Sequence, residues 1–110
     1  MSRKDQLVRL RQISGLILDL RLSELHNAAR ARAQSLDRLA GLAVPQASDL
    51  PPIAAAQAGL RYQRWADARR AEINIQLARQ TADWLEAQAT ARRAFGQSQA
   101  LESVQQRLRP

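Results

Sequence analysis

His26 is the one histidine of the chain and the natural candidate for proton transfer or metal ligation near neutral pH. Glu24, the nearest acid, lies two positions away and so on a different side of any helix. No second histidine and no cysteine can complete a ligand set. The hydroxyls of Ser14, Ser23 and Ser35 show no arrangement of a base with an acid to orient it that would activate them. Asp83 and Glu86 stand one turn apart, but paired acids do general acid–base work only inside a cleft that perturbs them. Glycines fall singly at 15, 41, 59 and 96, so no backbone loop cradles a phosphate. These residues predict no catalytic constellation, no metal, no cofactor and no small-molecule site; the chain reads as a non-enzyme.

The elements available to position any site are helices. Ala, Leu, Arg, Gln and Glu dominate, the types that lose least on entering a helix, whereas valine occurs only at 8, 44 and 104. Four aromatics, Tyr62, Trp65, Trp84 and Phe95, leave a thick core with too few large side chains. Prolines stand at 45, 51, 52 and 110 alone, and because an interior proline costs a helix about 3 kcal/mol, they act as punctuation. The expectation is a single all-α domain over residues 1–110, an elongated antiparallel two-helix coiled-coil hairpin with helix 2–43, turn 44–52 and helix 53–109. Ser2 and Asp5 have capping-box spacing, Gly41 and Pro45 close the first helix, and Asp49 can cap the second ahead of Pro51 and Pro52.

Alternating steps of four and three trace a seam in the second helix through Ala66, Arg70, Ile73, Leu77, Gln80, Trp84, Ala87, Ala91, Ala94, Ser98, Leu101, Gln105 and Leu108. In the first helix one stripe holds Leu10, Ile13, Ile17 and Leu20, and another Leu22, Leu25, Ala29, Arg32, Leu36, Leu39 and Ala43. The switch between them predicts a phase slip near residue 21. A turn centred near residue 48 pairs residues whose numbers add to about 97. Ile13 then lies near Trp84, Leu20 near Leu77 and Leu36 near Leu60, with ion pairs Asp37–Arg61, Asp19–Arg79 and Arg11–Glu86. On this register the last fifteen or so residues of the longer helix overhang their partner. The expected protein-binding surface is that overhang, Phe95, Leu101, Val104, Arg107 and Leu108, with Arg3, Arg9 and Arg11 beside it.

Seventeen basic residues against ten acidic give a net charge of +7. That balance suits an anionic partner, whether an acidic protein face, a membrane surface or nucleic acid. Acids are interspersed with the arginines, however, and no stacking platform or zinc pattern accompanies them, which ranks nucleic acid below protein as a partner. The charged start and an apolar window, residues 13–20, too short for a bilayer predict a cytoplasmic protein without membrane insertion, placed at most peripherally at the inner face of the cell membrane.

The stretch from Arg64 to Gln80, then Trp84-Leu-Glu-Ala, Ala91-Arg-Arg-Ala-Phe95 and Ala100-Leu-Glu-Ser-Val-Gln-Gln-Arg-Leu108 resembles the second helix and C-terminal segment of the FliJ-like proteins of flagellar export, whose injectisome relatives are the YscO-like proteins. The resemblance covers residues 60–108, while the first helix shares only the family's character. It implies a two-helix coiled coil like the central stalk of rotary ATPases, acting as a stalk or escort in a bacterial type III export ATPase ring and touching the export gate. On that resemblance Leu101 and Glu102 occupy the family's Leu-Glu motif with Arg107 as a flanking basic residue; Gln99 stands where a basic residue is common. Two other readings compete, a self-associating coiled-coil adaptor that is a homo-oligomer and a basic helical hairpin that binds nucleic acid.

Overall fold

The computed structural model describes residues 2–43 and 49–109. They form two helices, α1 (Arg3–Ala40) and α2 (Pro52–Arg107), of 38 and 56 residues, or about 57 and 84 Å at 1.5 Å per residue. No strand occurs among the described residues. The fold is the all-α antiparallel hairpin that the proline spacing and composition predict.

Local chemistry sets the helix ends. Asp5 N donates to Ser2 Oγ at 3.2 Å and Ser2 N donates to Asp5 Oδ2 at 3.4 Å, the reciprocal capping box expected from their spacing. Past Ala40 the chain tightens, Gly41 N donating to the Asp37 carbonyl at 2.9 Å and Leu42 N to that of Leu39 at 3.1 Å. Gly41 does so without a positive φ, so α1 ends by losing its i−4 partners and not through a left-handed cap. Pro52 begins α2, where its missing N–H is harmless, and Ala55 N donates to the Pro51 carbonyl at 2.8 Å. Thus Pro51 occupies the cap position that the sequence suggested for Asp49. Pro45 and most of the expected turn, residues 44–48, lie outside the described residues.

Two compact units divide the chain. Unit 1 is Met1–Arg30 with Ala82–Pro110, and unit 2 is Ala31–Thr81. In unit 1, α1 turns inward Leu7, Ser14, Leu18, Arg21, Leu25 and Ala28, all buried or half-buried, and α2 turns inward Trp84, Ala87, Ala91, Ala94, Ser98, Leu101 and Gln105. In unit 2 the inward set is Arg32, Ser35, Leu39 and Leu42 from the first half of the chain and Ala66, Arg70, Ile73, Leu77 and Gln80 from α2. Ile73 and Ser35 are the largest fully buried side chains of the described residues.

The α2 seam is therefore the predicted one, Leu108 alone of its thirteen positions being exposed. The α1 seam is not. Positions 7, 11, 14, 18, 21, 25, 28, 32, 35, 39 and 42 alternate steps of four and three without interruption, and only Arg11 among them is exposed. The expected phase slip near residue 21 does not occur. Leu10, Ile13, Ile17 and Leu20, the expected first stripe, are instead exposed. Polar matching across the seam accounts for the choice. Ser35 Oγ donates to Gln80 Oε1, Arg32 Nε donates to Thr81 Oγ1 at 3.1 Å, and an Arg11 Nη1 donates to Gln105 Oε1. Polar groups at seam positions hold one alignment because any other leaves them facing apolar neighbours.

These contacts also correct the register. Residue numbers across the seam add to 116 for Arg11 with Gln105 in unit 1, and to 113 for Arg32 with Thr81 and 115 for Ser35 with Gln80 in unit 2, against the expected 97. The end of α2 consequently lies against the beginning of α1, Leu108 sharing a hollow with Lys4, Leu7 and Val8. The predicted C-terminal overhang is absent. Within unit 2 the same register sets Ala40 opposite residues 73–75, so residues 52–72 of α2 run beyond the end of α1. The expected cross-helix ion pairs have no place in this alignment. The ion pairs observed among the described residues, Arg21–Glu24, Arg69–Glu72 and Arg70–Asp67, each span one turn of a single helix.

Candidate partner-binding surface

A two-helix seam buries one stripe of each helix and leaves the rest of any wide apolar face in water. On α1 that remainder is large. Leu10, Ile13, Ile17 and Leu20 repeat at steps of three and four, one position behind the seam, with Leu16 outside them. Alongside them α2 contributes Gln97, Ala100 and Val104, again one position behind its own seam. The two rows enclose an open groove of about 390 Å³ in unit 1, lined by Leu10, Ile13, Ser14, Ile17, Ala100 and Leu101 together with Gln97. Alanine at 100 keeps the α2 wall low, leaving room for another side chain to enter.

The structure brings together some of the sequence-selected partner residues and separates others. Leu101 is half-buried at the groove, Val104 is exposed one turn beyond the groove-lining Ala100, and Arg107 is exposed three residues further on. Phe95 is exposed in a different hollow, lined by Leu22, Leu25, Gln88, Ala91 and Arg92. Leu108 forms the third hollow, near Lys4 and Leu7. Arg3 and Arg9 are exposed on α1, whereas Arg11 is held by Gln105. Sequence reasoning passed over Leu10, Ile13, Ile17 and Leu20 as a free surface because it used them for the intramolecular seam; the uninterrupted repeat through Leu7, Leu18, Leu25 and Leu39 was the signal that they were not needed there.

Charge around these hollows is basic. The two segments of unit 1 carry ten Lys and Arg and six Asp and Glu, a net +4. Neither a metal-holding group of His, Cys, Asp or Glu nor a buried side-chain polar atom without a hydrogen bond is found among the described residues. His26 and Glu24 are both exposed, Glu24 pairing with Arg21 at 3.2 Å. No helix of the described residues is long and apolar enough to cross a membrane. What this arrangement offers chemically is an open apolar groove on a unit of net positive charge. No family model, curated protein or solved structure matches this chain.

Proposed function

We propose that the chain is a non-catalytic coiled-coil protein that works by binding other proteins through unit 1. The observation that carries this reading is the second apolar row of α1, Leu10, Ile13, Ile17 and Leu20, standing exposed beside a seam that does not use it. An apolar stripe at helical spacing on a folded surface generally marks the place where another helix lies. Arginines around it add association rate and discrimination against basic partners more than affinity.

Resemblance of the α2 segments to FliJ-like proteins supports a narrower assignment, a stalk or escort of a bacterial type III export ATPase that engages the ATPase ring and the export gate at the cytoplasmic side of the membrane. The corrected register bears on where contact is made. The start of α1, the end of α2 and the residues Leu101, Val104 and Arg107 all fall in unit 1 with the exposed row, so the contact surface is a groove along paired helices and not a bare overhanging tail.

ATP turnover by the cognate export ATPase, measured with and without this chain, tests the assignment. Ile13→Asp with Val104→Asp alters the groove without touching the seam, and helicity by circular dichroism confirms that the variant is folded. Stimulation by the wild type that falls at least tenfold in the double variant is the expected result; unchanged stimulation by a folded variant overturns it.

A further inference from the structure

The groove has a symmetry of its own. Read along α1, the exposed row is Arg3, Gln6, Leu10, Ile13, Ile17, Leu20 and Glu24, an apolar centre with a cation at one end and an anion at the other. Laid antiparallel on itself, this row sets each residue against the one whose number completes 26 or 27, with Gln6 beside Leu20. Arg3 meets Glu24 of a second copy at both ends, Leu10 meets Ile17, and Ile13 sits beside its own equivalent at the centre. A parallel pairing would instead oppose Arg3 to Arg3 and Glu24 to Glu24. Glu24 is exposed and tied only to Arg21 of the same helix, a surface pair that leaves its other lone pairs open to a second cation.

From this self-complementarity we infer that the chain forms a two-fold symmetric dimer in which α1 of one copy packs antiparallel on α1 of the other. This inference rests on the reading of the groove as a protein-binding face, and not on the identity of any ATPase. Such an interface is isologous, each copy giving and receiving the same contacts. The available area is sufficient. Leu10, Ile13, Leu16, Ile17, Leu20 and Val104 are each 40 to 70% exposed. Covering them removes on the order of 600 Å² of apolar surface per copy, or about 1,200 Å² in total, the lower edge of specific interfaces. On α2, Ala100, which the unit 1 register sets level with residue 16 of its own α1, leaves space for the second copy's Leu10 to enter, while Arg93, which donates to Thr90 at 3.4 Å, and Arg107 continue the same row of α2 to either side. A dimer of this kind hides the row that the proposed partner would use, so self-association and partner binding compete for one face.

Sedimentation velocity of the full chain over 1 to 200 μM tests the inference, with oxidative cross-linking to fix the orientation. The wild type is expected to pass from monomer to dimer across that range, and Ile13→Glu with Ile17→Glu, helicity retained, to raise the dissociation constant at least a hundredfold. Because the chain has no cysteine, single substitutions report geometry cleanly. Ile13→Cys, next to the two-fold axis, is expected to cross-link to its own copy, whereas Leu20→Cys would lie about 20 Å from its equivalent, far beyond the ~7 Å Cα separation a disulfide tolerates. A monomer at every concentration, a dimer indifferent to the Ile13/Ile17 pair, or equal cross-linking through positions 13 and 20 overturns the inference. A monomer that still stimulates an export ATPase refutes the dimer alone, and a dimer with no effect on the ATPase refutes only the ATPase assignment.

Discussion

Replacing an isoleucine by alanine at two sites two residues apart on α2 should give very different outcomes. Ile73 is 2% exposed in the seam of unit 2, and Ile75, on the same helix, is 59% exposed. Ile73→Ala removes three carbons from a packed site, for which a loss of about 3 kcal/mol is typical, transfer and cavity terms together. At Ile75 the same three carbons, at about 0.8 kcal/mol each, are only some two-fifths buried, so the transfer loss is about 1 kcal/mol. Alanine's better helix propensity returns about 0.4 kcal/mol of that. With a urea m-value of about 2 kcal/mol/M, the midpoint should fall by about 1.5 M for Ile73→Ala and by about 0.3 M for Ile75→Ala. The assay is urea unfolding followed by circular dichroism at 222 nm, at one protein concentration for all three proteins. Equal shifts, or the larger shift at Ile75, would refute the assignment of Ile73 to the buried seam of unit 2.

Further outcomes follow from single contacts. Ser2→Ala removes half of the capping box with Asp5 and should cost about 1 kcal/mol, seen as faster amide exchange in the first turn of α1. Gly59→Ala and Gly96→Ala add a methyl where nothing lies within 4 Å, inside a helix, and each should stabilise by about 0.8 kcal/mol, raising the melting temperature by a few degrees. Ser35 is completely buried and bonded to Gln80, so a double-mutant cycle of Ser35→Ala with Gln80→Ala should show a coupling of about 1 kcal/mol; additivity would remove that bond as a determinant of register.

The helices, their antiparallel hairpin and the α2 seam were legible in the residues, because helix propensity, proline placement and heptad spacing are local properties that each segment carries by itself. Ser2 and Asp5 declare their cap in the same way. Which row of α1 meets α2 was a different kind of question. Two rows of that helix have acceptable spacing, and counting apolar residues favours Leu10, Ile13, Ile17 and Leu20, the row that ends up in water. The choice fell to polar partners 45 to 94 residues distant in sequence, Ser35 with Gln80, Arg32 with Thr81 and Arg11 with Gln105, whose bonds form in one alignment of the two helices. Hydrophobic burial is nondirectional and tolerates a slide along the seam, whereas a hydrogen bond at a seam position does not. Sequence therefore decides that two long helices form and fold back on each other; only their packing decides which residues remain outside for a partner to find.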